Sequence, residues 1–162
     1  MGKYTVIFDS REQHGWTFEP TEKCLGMEMA TLLTGDYTIK GLEDFICIER
    51  KGSVSEIATN LGKELDRFKR EMERMEPVTH KYIICEFSYS DIIKFPYGAG
   101  IPLAKLKLVK MTGKIILKNL LEVQMQYGVN VLFCDNAVGA FNMAEGIMKR
   151  VYEKYGRFTN DK

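Results

Sequence analysis

The segment FICIERK, residues 45–51, sets a glutamate and a lysine two positions apart at the end of an apolar run. Side chains alternate along a strand, so Phe45, Cys47, Glu49 and Lys51 are expected on one side and Ile46, Ile48 and Arg50 on the other. Glu49 and Lys51 then point the same way, roughly 7 Å apart along the chain. Two acidic groups lie upstream at similar places: Asp9-Ser10-Arg11-Glu12 closes the run YTVIF, and Gly35-Asp36 opens the run YTI. A lone E-x-K is most often a surface ion pair, and strand ends commonly carry charge. Three acid-bearing strand ends in the first third of one chain are harder to explain as requirements of folding.

If a hairpin brings Asp36 beside Glu49, two carboxylates repel and one is pushed toward protonation. A divalent cation removes that conflict, and carboxylate oxygens completed by water and substrate phosphate are what Mg2+ prefers. A cation so held polarises a phosphate and lowers the pKa of a bound water. Lys51 would add positive charge where negative charge builds up, or help orient the attacking water. Asp36, Glu49 and Lys51 are thus the expected centre of a phosphodiester-hydrolysing site, with Mg2+ as cofactor and Mn2+ able to substitute.

The elements that must position these residues can be read from spacing. Tyr4–Asp9 is short, β-branched and aromatic, and reads as a strand. MEMATLL, from Met27, suits either a strand or a helix. The stretches 36–40 and 44–51 flank Gly41-Leu42-Glu43 and suggest a hairpin. Ser53 and Glu56 have the spacing of a capping box, followed by Val54, Ile57, Leu61, Leu65, Phe68, Met72 and Met75 at steps of three and four. That pattern predicts one helix ending before Pro77. KYIICEF, residues 81–87, reads as a strand, and Ser88 to Met111 as irregular, with LAKLKLVKM undecided between helix and strand. Thr112 is placed to cap a helix with Ile116, Leu120, Val123 and Tyr127 inward and Gly128 as its stop. A strand over 130–134 and a last helix capped by Asn136 follow, with Val138, Phe141, Met148, Tyr152 and Tyr155 sharing a side. Strands alternating with helices argue for an α/β fold, a central mixed sheet flanked by helices.

Composition sets the remaining bounds. The 162 residues fit one domain, 1–162, and 45% apolar with 28% charged residues is ordinary for a globular protein. No apolar run is long enough to span a membrane and no signal-peptide pattern opens the chain. Cys24, Cys47, Cys85 and Cys134 are far apart, which argues for reduced thiols and a cytoplasmic protein, and against structural zinc. The net charge of +1 does not announce a nucleic-acid binder, but its distribution is uneven. Between Ile92 and Leu121 stand Lys94, Lys105, Lys107, Lys110, Lys114 and Lys118 with no acid. They form either a solvated face or a phosphate-contacting patch. Of the aromatic and histidine side chains near the first motif, Trp16 and Phe18 are assigned to packing and His14 to a loop.

The order D-x-R-E, G-D, E-R-K resembles the nuclease domain of the XPF family of structure-specific endonucleases, whose motif runs G-D…E-R-K-x-x-x-D. Ser55 occupies the position of the last acid and Glu56 follows it, so that acid is displaced by one residue or absent. The resemblance covers most of the chain, with its specific motifs within residues 9–56. It implies a restriction-endonuclease-like core and an acidic cluster of Asp9, Glu12, Asp36 and Glu49. Of these, Asp36, Glu49 and Glu12 would be metal ligands, Lys51 the catalytic lysine, and Arg50 a residue that orients the cluster or touches phosphate. DNA is the expected partner, contacted through Arg11, Arg67, Lys105, Lys107, Lys110 and Lys114. Helix-hairpin-helix motifs, which often follow this domain, are not seen before Lys162, so a free-standing phage- or bacterial-type domain is expected. A preference for branched or flapped DNA rests on the resemblance alone, and no organic cofactor is implied.

A homodimer is also expected. Ile115, Ile116 and Leu117 are consecutive and cannot share one helix face, so at least one looks away from the sheet. Two rival functions stand beside the nuclease: a catalytically inactive DNA-binding module partnering an active nuclease, and an α/β interaction domain with no nucleic-acid role. Intact Asp36, Glu49 and Lys51 weigh against the first.

Overall fold

The computed structural model describes residues 2–161. Six strands form one mixed sheet in the order β2-β1-β3-β4-β5-β6. They are β1 (Tyr4–Asp9), β2 (Cys24–Ala30), β3 (Tyr37–Ile39), β4 (Ile46–Lys51), β5 (His80–Cys85) and β6 (Asn130–Phe133). The expected hairpin is present: β3 runs antiparallel to β1 and β4, while the β1–β2, β4–β5 and β5–β6 pairs are parallel. Met27, undecided in sequence, lies in β2, paired with Val6. These directions bring the ends of β1, β4 and β5 and the start of β3 to one edge of the sheet.

Both faces are covered, as expected of an α/β fold. One carries α1 (Val54–Leu61), α2 (Leu65–Met75), α3 (Tyr89–Lys94) and α5 (Gly113–Tyr127) over Cys47, Ile83 and Cys85. The other carries α6 (Ala137–Tyr155), with Trp16 and Phe18 from the β1–β2 connection, over Val6, Ile46, Ile48 and Ile84. The alternation along β4 thus sends Cys47 one way and Ile46 and Ile48 the other, each almost fully buried. Burying side chains of this size stabilises by roughly 1.5–3 kcal/mol each. The short α4 (Leu103–Leu106) and a closing 3-10 turn (Gly156–Asp161) complete the chain. No helix among the described residues is long and apolar enough to cross a membrane, and all four cysteines are buried and free.

Four expectations change. The single helix over 53–75 is two, because the chain turns at Gly62, whose φ/ψ of −104°/−105° leave the helical region. The apolar spacing of three and four continues across that corner, which hid it. Phe45 does not share the Cys47 side: it precedes β4 and packs against Tyr155 and Phe158. Val138 is 70% exposed, and the inward face of α6 is formed by Ala140, Ala144, Met148 and Val151. The stretch from Ser88 is not wholly irregular, since Ser88 and Asp91 make a reciprocal capping box that starts α3. The Thr112 and Asn136 caps and the Gly128 stop, at φ +62°, are as expected.

Candidate active site

Three backbone-anchored bonds gather the acid-bearing strand ends. The Asp9 N–H donates to the Asp36 carbonyl at 2.8 Å, and the Asp36 N–H donates to the Ile48 carbonyl at 2.8 Å. The Arg50 N–H then donates to Asp36 Oδ2 at 2.7 Å. Asp36 is therefore clamped between the ends of β1 and β4. The preceding Gly35 makes this possible: its φ is +72°, a conformation open to glycine, and a Cβ there would collide with Cys47 Sγ.

From β4, Glu49 and Lys51 leave toward the α1–α2 side, as the alternation requires. Their ion pair closes at 2.8 Å, and Glu56 stands 3.8 Å from Lys51. Lys51 is only 3% exposed and lies 5.5 Å from the centre of the Phe68 ring, so it is a buried cation fixed on both sides. Glu56 completes only half of the expected capping box. Its N–H donates to the Ser53 hydroxyl oxygen, but its carboxylate accepts from Gly52 N–H, which leaves it at the cleft.

Arg50 leaves on the other side. Its guanidinium donates to both Glu86 oxygens, at 2.7 and 3.0 Å, and stands 3.6 Å from Glu12. Glu86 also accepts from Trp16 Nε1 at 2.8 Å, and Trp16 stacks on Tyr37 at 4.9 Å between ring centres. Asp9 is held by Arg11, whose guanidinium donates to both its carboxylate oxygens. Glu12 accepts from the His14 N–H at 3.0 Å.

The electrostatics follow from burial. Burial, then the charge of Glu49, pushes the Asp36 carboxyl up to about 8, against the opposing Arg50 N–H. Burial also raises Glu49, in spite of Lys51. Burial alone would pull Lys51 down, but the charge and hydrogen bond of Glu49 hold it above its ordinary value. Burial would raise Asp9, but the Arg11 hydrogen bonds hold it below the usual carboxylate range. Asp36 and Glu49 therefore form a buried carboxylate pair with one cation, Lys51, beside it.

That donor set fits a divalent cation. Among the described residues no three His, Cys, Asp or Glu side chains are grouped to enclose a metal unaided. Two carboxylates with water and phosphate are the usual holding of Mg2+. Asp36 suits this best, since among the described residues no cation forms an ion pair with it, and Glu49 stands beside it with Lys51 on one oxygen, whereas Arg11 donates to both oxygens of Asp9.

The open cleft here has a volume of about 300 Å³, and Asp9, Glu12, Asp36, Glu49, Arg50 and Lys51 all line it, with Arg11 and Arg67. Arg11 and Arg67 present largely exposed guanidinium groups at its margin. Lys105, Lys107, Lys110 and Lys114 are exposed but do not line it. Sequence reasoning missed Glu86, Asn60, Glu64 and Glu71 at or beside the cleft. Helical spacing from Glu56 to Asn60 and Glu64 could have pointed to two of them.

The ERCC4 domain family model matches residues 8–145. No curated protein is significantly similar to the chain in sequence. Among solved structures, XPF from Aeropyrum pernix superposes with a TM-score of 0.60 at 18% identity, over 90% of this chain and 60% of that one. The structure titled "XPF from Aeropyrum pernix, complex with DNA" gives 0.62 at 18% identity, over 94% and 66%. The chain thus spans under two thirds of the length of these proteins, and at this identity the likeness is one of fold.

Proposed function

Because the chain belongs to the ERCC4 domain family, we propose that its cleft is the active site of a Mg2+-dependent DNA endonuclease. The observation that carries this reading is the clamp on Asp36, which sets its carboxylate beside Glu49 and Lys51 at the sheet edge. Asp36 and Glu49 would hold the cation, with Glu12 close enough to adjust it. When bound, Mg2+ or Mn2+ would polarise the scissile phosphate and lower the pKa of an attacking water.

The chain's own groups do the rest. Lys51 is charged, buried and fixed, so it adds positive potential beside the reacting phosphate without reorganising. Arg50, held by Glu86 and facing Glu12, keeps the acids apart and in place. Arg11 and Arg67 are exposed cations at the margin that can meet the DNA backbone. The XPF structure titled as a DNA complex supports DNA as the partner. A second copy of this chain is the proposed protein partner, since Ile115, Leu121, Met125, Val138 and Met143 leave apolar surface on α5 and α6.

The test is cleavage of flapped, splayed and linear DNA by the purified protein in Mg2+ and in EDTA. Cutting in Mg2+ alone, fastest on a branched substrate, is expected. DNA binding with no cutting in Mg2+ or Mn2+ would contradict the proposal and favour a non-catalytic binding module.

A further inference from the structure

We propose that the segment between α3 and α5 is a binding surface for single-stranded DNA, which holds the unpaired strand of a branched substrate beside the cleft. The inference rests on the nuclease reading for the identity of the substrate. Its own basis is a basic, apolar-tipped surface that the catalytic account does not use.

Both ends of the segment are tied to the walls of the site. It leaves from α3, which follows the end of β5, where Cys85 pairs with Lys51 and the Glu86 N–H donates to the Lys51 carbonyl at 2.9 Å. It returns against the corner between α1 and α2, where Met111 Cε lies 3.1 Å from the position of a Cβ on Gly62. Phe95 is buried beneath it, and Ile101, Val109 and Met111 pack on the core. The segment is therefore seated on the domain.

It turns both apolar and basic side chains outward. Tyr97, Leu103 and Leu108 are 69, 84 and 76% exposed. Lys105, Lys107 and Lys110 lie among them, all exposed and without an ion-pair partner among the described residues. No acid occurs between Ile92 and Leu121. Single exposed apolar residues are ordinary, but three of them interleaved with unpaired lysines match one chemistry. Unpaired DNA offers phosphates and base faces together, whereas a duplex hides the faces. The backbone is also open to approach: Gly98 and Gly100 have φ of +74° and +70°, and a Cβ on either would meet nothing within 4 Å. An anionic membrane also attracts basic and apolar groups. That requires a helix long enough to carry an amphipathic face, and α4 has only 4 residues.

Fluorescence anisotropy with a labelled oligothymidine and a hairpin duplex tests this, with Ca2+ in place of Mg2+ to prevent cutting. Wild type should bind the oligothymidine more tightly. Tyr97→Ala should weaken that binding by about 5- to 100-fold and the duplex far less, as loss of one stacked base does, and Tyr97→Phe should restore it. Replacing Lys105, Lys107 and Lys110 by Ala should weaken binding and flatten its logarithmic salt dependence by about 2, at ~0.7 for each lost phosphate contact. An unchanged affinity in Tyr97→Ala, or equal losses on single strand and duplex, overturns the proposal. So does binding to phosphatidylserine vesicles without preference for the single strand. Cleavage in Mg2+ by the same preparations separates the two readings. A protein that cuts DNA while Tyr97→Ala binds the single strand normally refutes the surface alone, and one that binds it through Tyr97 without cutting any DNA refutes the nuclease alone.

Discussion

Asp36 enters a buried position beside another carboxylate, and the consequence can be followed through pH. Its carboxyl titrates near 3.8 in the unfolded chain and near about 8 in the fold. The folded value is the higher one, so the native state holds the proton more tightly than the unfolded chain does. That contribution to stability is complete below pH 3.8 and is lost as pH rises through about 8. Metal-free wild type should therefore melt progressively lower as pH rises across this window. Asp36→Asn keeps an oxygen for the Arg50 N–H and removes the charge, so in EDTA it should melt higher than wild type at the alkaline end. Mg2+ should raise the wild-type melting temperature there and leave the variant unmoved. Identical melting curves for the two proteins would show that Asp36 bears no such strain. Lys51 is the complementary case. Lys51→Met keeps an unbranched side chain in the buried position and removes the charge, and turnover should fall roughly 10²-fold or more. A variant that cuts within a few-fold of wild type would exclude Lys51 from the chemistry.

At the scale of elements, the site depends on how strand ends are brought to one edge. Gly35 is a double constraint, because its left-handed φ and the closeness of Cys47 Sγ both exclude a side chain. Gly35→Ala should cost more than about 1 kcal/mol in a urea titration and reduce cleavage as well, since any relief moves Asp36. Full activity and stability in that variant would mean Asp36 is placed by other means. Much of this arrangement was legible in the sequence, because D-x-R-E, G-D and E-R-K each sit where an apolar run stops or starts, and alternation then sorts Glu49 and Lys51 from Arg50. Glu86 was not legible. It lies 35 residues beyond Lys51 in a run with no motif, and only the parallel register of β4 and β5 brings it to Arg50. The corner at Gly62 was hidden for the opposite reason: Leu61 and Leu65 keep helical spacing while the backbone between them does not.

For the molecule as a whole, the sheet divides two apolar layers and leaves its acidic edge between them. Ile115 on α5 is 42% exposed, so the run of consecutive apolar residues does turn partly outward, and Leu121 farther along the helix is 49% exposed. Beside α6 a groove of about 490 Å³ runs past Tyr82, Met143, Ile147 and Tyr155. α5 and α6 lie on opposite faces of the sheet, so a homodimer would use one of these two surfaces, and light scattering at micromolar concentration should give the mass of two chains. The mass of one chain would leave the surface to another partner. The central claim, however, is that the Asp36–Glu49 pair cuts DNA, and it is tested most directly by comparing wild type with Glu49→Gln on one flapped DNA in Mg2+. The substitution keeps shape and removes a single charge. Wild type should cleave, and Glu49→Gln should retain its fold and DNA affinity while losing all measurable cleavage; a Glu49→Gln protein that cuts as fast as wild type would contradict the account.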